Sequence, residues 1–295
     1  ELLEGTTTQH VTHIGYDVAL GIKARIALVM EDWQTAKAAA EDAIDESGAS
    51  ILEVKDFKGL NDATKSNVMW GAEIIADQSG MYAGLFTHMD HDADKYGASA
   101  LKQINKLLYA KMGKNDARRA WWDPDCELNK EGGYQQEKFK FSDIKTWMGD
   151  YIWMRVEEMY LTAAEAAVRL NDETTAKNHL MALMSKRDED YSTDKTGTDL
   201  AKLTSTETGS LLEEIITQRR IELWGEFGRI YDIRRLKQGF RRTKEMGWPT
   251  DALLGNRPTD DPESYMWVLT IPQTEFDGNA NMDAETDQNP IGDTK

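Results

Sequence analysis

Met159-Tyr160-Leu161-Thr162-Ala163-Ala164-Glu165-Ala166-Ala167-Val168-Arg169-Leu170 spaces its apolar and small residues three and four apart, the period of one helix face. Asp172 then offers an N-cap, and Thr175 to Lys186 continues as a second helix. Two helices joined this tightly lie antiparallel, as a hairpin. The same pattern occurs earlier in the chain. Ile14 to Met30 carries Val18, Ile22, Ile26, Leu28 and Val29 on helical spacings, Asp32 caps, and an Ala-rich helix runs from Trp33 to Asp45 and ends near Gly48. At an offset of 140 residues Ala24 matches Ala164, Ala27 matches Ala167, Asp32 matches Asp172, and Thr35-Ala36-Lys37 matches Thr175-Ala176-Lys177. Alanines at four-residue steps let paired helices approach closely, as tetratricopeptide-type hairpins require. The expected fold is therefore mainly α. Tetratricopeptide-like hairpins near 14–46 and 155–187, packed through Ala24, Ala27, Ala164 and Ala167, form a superhelical scaffold with long irregular loops and a few short strands.

Outward from these hairpins, Leu101 to Met112 reads as a short helix with Leu101, Ile104 and Leu108 on one face. A longer helix starts at Ser210, where Ser210 and Glu213 form a capping box. Tyr265 to Ile271 reads as a short strand stopped by Pro272. Asn61 to Asn67, Ser79 to Gly97 and Trp121 to Gly149 lack periodicity, so the segment near 61–149 is expected to be loop-rich. Past Gly278 the tail is polar and is expected to lie over the surface. All of 1–295 is read as a single domain.

The chain has 295 residues, 40% hydrophobic and 29% charged, which suits a folded domain with a real core. Its 52 acidic against 35 basic side chains give a net charge of -17. That balance repels phosphates and anionic headgroups, so neither nucleic acid nor an acidic lipid surface is an expected partner. Cys126 is the only cysteine, which excludes an internal disulfide. There is no apolar run long enough to span a membrane. Glu1-Leu2-Leu3-Glu4-Gly5 does not read as a signal peptide, so either the protein is cytoplasmic or its beginning has been removed.

Catalytic and metal motifs are sparse. No P-loop, dinucleotide fingerprint, HExxH or nucleophile elbow occurs. His10 and His13 are not followed by further ligands at a zinc spacing. Asp90-His91-Asp92-Ala93-Asp94 begins like a calcium loop, but Lys95 stands where glycine is needed and Leu101 where glutamate is needed. Neither a bound metal nor a cofactor is expected. In Gln218 to Arg229, Glu222 and Glu226 share a helix face with Arg219 and Arg229 nearby, yet Ile221, Leu223, Trp224 and Phe227 are interleaved. Such charges lie against a core. They are expected to be buried and paired with one another or with Glu158, Glu165 and Asp232, as a structural network. The aromatics point further: Tyr82, Phe86, His88, Trp121 and Trp122 fall in irregular segments, where flat rings suit sugar faces or peptide side chains. These five are the expected ligand-binding residues.

Arg155-Val156-Glu157-Glu158-Met159-Tyr160-Leu161-Thr162-Ala163-Ala164-Glu165-Ala166 closely resembles the R-x-x-E-x-Y-L-x-x-A-E-A motif of the SusD/RagB family. Arg219-Arg220-Ile221-Glu222-Leu223 with Glu226, Gly228-Arg229 and Tyr231-Asp232-Ile233-Arg234-Arg235 resembles a second stretch of it, and Ile271-Pro272-Gln273, Glu275 and Gln288-Asn289-Pro290 resemble its end. Weaker echoes are Ala24-Arg25 through Asp32-Trp33, Asp116 with Arg118, and Lys138-Phe139. Gln218 and Ile291 depart from the pattern, at places where the family usually has glutamate and glycine. The family's N-terminal signal, lipidated cysteine and first helical segment are not in this sequence, and mid-chain Cys126 does not match the anchor. The chain thus resembles the C-terminal majority of such a protein. The resemblance implies a non-enzymatic lipoprotein on the extracellular face of the outer membrane in Bacteroidetes-type bacteria. It would bind oligosaccharides or peptides and deliver them to a SusC-like TonB-dependent transporter, its motif residues serving the architecture. Its only membrane attachment would be the N-terminal lipid.

Two other readings stand beside this one. The same hairpins would serve an intracellular helical-repeat adaptor, and paired carboxylates brought together only in space would serve a glycoside hydrolase.

Overall fold

The computed structural model describes residues 2–6, 10–79, 84–94, 96–126, 134–191, 210–226, 228–238, 243–247 and 268–290. They gather into two compact units, 1–227 with 245–247, and 228–244 with 248–295.

In the first unit the opening hairpin is α1 (Tyr16–Val29) and α2 (Trp33–Ser47). Asp32 caps α2 by accepting from the Thr35 N–H at 3.1 Å, and Gly48, in left-handed conformation at φ 60°, ends it. A strand, β1 (Val68–Ala72), follows, then the short helices α3 (Leu85–Met89), α4 (Tyr96–Ser99) and α5 (Lys106–Tyr109). Two-residue strands β2 (Trp122–Asp123) and β3 (Gln135–Gln136) pair antiparallel, and β4 (Tyr151–Arg155) returns antiparallel to β1. From β4 the chain passes directly into α6 (Val156–Arg169), then α7 (Glu173–Met184) and α8 (Leu211–Glu222). Ser210 caps α8 through the Glu213 N–H at 3.1 Å, as the capping box predicts. The second unit holds α9 (Arg229–Arg235) and α10 (Gln273–Gly278).

The two hairpins repeat in their turns as well as their helices. Asp32 N–H donates to the Ala27 carbonyl and Asp172 N–H to the Ala167 carbonyl, both at 2.9 Å. Each aspartate accepts at 3.1 Å from a threonine N–H three residues on. The residue before each cap, Glu31 and Asn171, is left-handed at φ 59° and 61°. This identity of unrelated bonds makes the 140-residue offset a true structural repeat.

Alanine decides how the helices meet. Ala24 packs with Ala39, Ala40, Ala43 and Ala163, and Ala27 with Ala36 and Ala166. Ala164 and Ala167 face the other way, onto Ala176, Leu180, Leu183 and Ile215. So the four expected alanines are all buried but do not form one seam. Ala163 and Ala166 carry α6 against the first hairpin, while Ala164 and Ala167 carry it against α7 and α8. That is why α6 is buried on nearly every side.

Two expected elements differ. Of Leu101 to Met112 only Lys106–Tyr109 is helical, because Asn105 turns its side chain to the Leu107 N–H at 2.9 Å and starts the helix there, while Gln103 pairs across to Gln135. Residues 268–271 of the expected strand are irregular, and the rest of it lies outside the described residues. Among the described residues no helix is long and apolar enough to cross a membrane.

Candidate functional site

The densest chemistry in the first unit is a buried ion network. Glu222 is fully buried, and accepts from Arg155 Nη1 at 2.9 Å, from Arg187 Nε at 2.9 Å and from Arg118 Nη1 at 3.3 Å. Arg118 also donates to Asp116 at 2.7 Å and to Gln218 at 2.5 Å. Glu226 accepts from Arg155 Nε at 2.6 Å and from Lys138 Nζ at 2.5 Å. Lys138 spends its other two hydrogens on the carbonyls of Glu222 and Trp224. Burial alone would push Glu222 up, but Arg187, Arg155 and Arg118 together hold it well below the usual glutamate value. Glu226 is lowered likewise, burial again being outweighed by Arg155 and Lys138. Burial draws Lys138 down to about 8, and its three acceptors still favour the ammonium at neutral pH.

This network joins residues that stand far apart in sequence. Arg155 begins one motif stretch, Glu222 and Glu226 belong to another, and Asp116, Arg118 and Lys138 are the weaker echoes. The expectation of burial holds for Arg219, which lies 3.6 Å from its expected partner Glu158, and for Glu222, whose partners differ from those expected. Glu222 turns to Arg155, Arg187 and Arg118. Arg229, in the second unit, is half-buried and donates to Gln238 at 3.1 Å, while Asp232 pairs with Arg235 at 2.8 Å. In that unit Gln288 closes on Ile271 through both backbone groups, and Asn289 donates to Leu269. The motif residues thus bind one another and hold the fold.

The Asp90 segment does not form a cation loop. His91, Asp92 and Glu137 could reach a common ion. Lys140 already supplies a cation there, with Nζ 2.5 Å from Asp92 and 2.8 Å from Glu137. Asp90 turns instead to the N–H groups of Asp92 and Phe141.

Of the five expected ligand-binding residues, three lie in cores. Phe86 is 1% exposed, packed against Phe141 and Tyr151. Trp121 and Trp122, 4% and 2% exposed, meet Phe57, Tyr109 and Trp224 edge to face. Phe86 lies in α3, Trp121 ends a short 3-10 turn and Trp122 begins β2, elements too short to show a period in the sequence. All three rings are buried in the cores that hold them. Tyr82 lies outside the described residues. His88 alone is exposed, at the end of α3, and Tyr96 of α4 lies flat upon it, ring centroids 5.0 Å apart and planes 9° apart. Tyr96 was missed although it lies in the same aperiodic Ser79 to Gly97 stretch as His88, so the signal that singled out His88 applied to it equally. On the β1–β4 ribbon the exposed Trp153 meets the half-buried Trp70 edge to face at 4.7 Å. Strand alternation would not have placed Trp153 outward, because Arg155 on the same strand face is buried while Trp153 is 41% exposed.

Stacked helical hairpins, with the motif residues Arg155, Glu157, Glu165, Arg219 and Glu222 buried between and behind them, define a helical-repeat scaffold. The SusD family model matches residues 109–291, and the chain belongs to that family. Among solved structures it is similar to a SusD-like carbohydrate binding protein from Bacteroides vulgatus, at 24% identity and a TM-score of 0.74, covering 95% of this chain and 61% of that one. A SusD superfamily protein from Bacteroides thetaiotaomicron aligns at 23% identity, TM-score 0.71, with 95% and 61% covered. Surface glycan-binding protein A from Bacteroides uniformis aligns at 17% identity, TM-score 0.62, with 97% and 62% covered. The chain therefore spans about three fifths of the length of these relatives. No curated protein matches it.

Proposed function

We propose that this protein binds an oligosaccharide at the cell surface without altering it and delivers it to a SusC-like TonB-dependent outer-membrane transporter. The observation that carries the reading is membership of the SusD family over residues 109–291. Two similar structures, a carbohydrate binding protein and a surface glycan-binding protein, support the ligand class. The proposed position is the extracellular face of the outer membrane, a reading that membership of the SusD family supports. Binding without turnover agrees with Glu222 and Glu226, whose carboxylates are committed to arginine and lysine. Of the proposed ligand residues His88 keeps an exposed ring; peptide cargo is the variant of this reading in which the same ring receives an apolar side chain.

The test is an oligosaccharide and peptide array probed with the purified protein, followed by calorimetry and chromatography of the recovered ligand. Micromolar to millimolar affinity, about 4–8 kcal/mol, with the ligand recovered intact is the expected result. Cleaved ligand, or no glycan bound at all, refutes it.

A further inference from the structure

After α3 the chain doubles back so that Gly97 of α4 lies on the backbone of Asp90. A Cβ at Gly97 would sit 2.7 Å from the Asp90 carbonyl carbon and nearer still to its oxygen, so only glycine admits this approach. The approach brings the neighbouring Tyr96 flat against His88. Asp90 is itself fixed, its buried carboxylate accepting from the Phe141 N–H at 2.9 Å and the Asp92 N–H at 3.0 Å. Gln136 holds the adjacent Met89 carbonyl at 2.6 Å, and Phe86 and Met89 root α3 in an aromatic core. Asp94, left-handed at φ 50°, completes the reversal at a conformational cost that the surroundings sustain. All this rigidity underlies a stack that faces water: His88 is exposed and Tyr96 is 48% exposed.

With one face of Tyr96 against His88, the 48% exposure of the residue leaves ring surface open to water. A flat ring, braced from beneath and presented to solvent, suits the C–H face of a sugar, which gains dispersion contact at little cost in side-chain entropy. Asp94, exposed just before Tyr96 in the chain, can accept from hydroxyls and repel carboxylates or sulfates, while the Asp92 carboxylate is held by Lys140. We propose that the His88–Tyr96 stack is a platform for the ring face of a neutral pyranoside. The proposal rests on the glycan-binding reading and names its ligand class and its central ring.

The whole 295-residue chain is titrated by calorimetry with neutral malto-, cello-, xylo- and manno-oligosaccharides, and with oligogalacturonate as the anionic control. One neutral series is expected to bind. Tyr96→Ala should then weaken binding by about tenfold while Tyr96→Phe stays within about twofold. Gly97→Ala should weaken it too, and remove the ring-current shift that Tyr96 imposes on the His88 ring protons. In the unmodified protein the bound sugar must shift the Tyr96 ring resonances, a readout that depends on no variant. A neutral sugar bound with unchanged affinity by Tyr96→Ala, leaving the Tyr96 resonances unmoved, overturns the platform and leaves surface glycan binding standing. Binding of oligogalacturonate alone overturns the neutral class. No binding by the unmodified protein to any of these sugars or to the wider array overturns both.

Discussion

Glu222 keeps its charge in a place without water because three arginines surround it, and that makes it the residue whose loss costs most. Glu222→Ala would leave Arg155, Arg187 and Arg118 buried together without their shared counter-ion. Breaking a buried pair in this way costs about 3–5 kcal/mol, so urea unfolding of the variant should show a loss of that order. A loss below about 1 kcal/mol, the level of an exposed pair, would mean that the network contributes little. The same residues set an acid limit. Because Glu222 and Glu226 titrate lower in the folded protein than in the unfolded chain, their stabilisation is present above the free glutamate value of about 4.3 and fades as pH falls below it. Unfolding free energy measured between pH 6 and pH 3, values spanning that limit, should fall steeply at the acid end, and less steeply in Glu226→Gln. At this scale the sequence was legible in kind and not in partner. Helical spacing placed Glu222 and Glu226 against a core, but Arg155 is 67 and 71 residues away from them, and no local pattern encodes so distant a pairing. For the site, His88 was legible as a ring outside any helix stripe. Phe86, Trp121 and Trp122 gave the same signal and are buried, because a stretch without periodicity does not distinguish a displayed ring from one that short elements fold around.

The hairpin is the element that repeats, and its turn offers a direct comparison between two solutions. Asn171 and Glu31 occupy the same left-handed position, and asparagine tolerates it far better than glutamate. Glu31 is exposed. Glu31→Asn is therefore expected to stabilise the protein by about 0.5–1 kcal/mol, read as a rise in melting temperature, while the reciprocal Asn171→Glu should lower it by a similar amount. Equal and opposite shifts support a turn strained by side-chain type alone; no shift in either direction refutes the strain. Legibility at this scale was high where period and cap agree, as at Asp32, Asp172 and Ser210. It failed where a single polar side chain outcompeted a pattern. Leu101 to Met112 has apolar residues at helical spacing, yet Asn105 stops the helix from extending towards the N-terminus and the preceding residues join a strand pairing instead. The split duty of α6, which uses Ala163 and Ala166 for one neighbour and Ala164 and Ala167 for the other, was not visible either, since a run of alanines has no face until its partners are placed.

Over the whole molecule the decisive quantity is charge. A net charge of -17 spread over 295 residues produces a field of one sign that reaches well beyond any single contact in dilute salt. Neutral sugars do not feel that field, whereas uronate-bearing ones must approach against it. Salt screens the field over a Debye length of about 8–10 Å near physiological strength, so ionic strength separates the two cases. For a neutral oligosaccharide, affinity should change by less than about twofold between low salt and about 0.3 M sodium chloride. For an acidic oligosaccharide of equal length it should be weaker at low salt and rise as salt is added. Calorimetric titration of one neutral and one acidic series at both ionic strengths measures this. On the proposed reading the protein's field acts on which ligands arrive and ring contact on which remain, so only the first should respond to salt. An acidic ligand that binds best in dilute salt would show that a local basic surface overrides the net charge, and would move the search for the site away from the neighbourhood of Asp94.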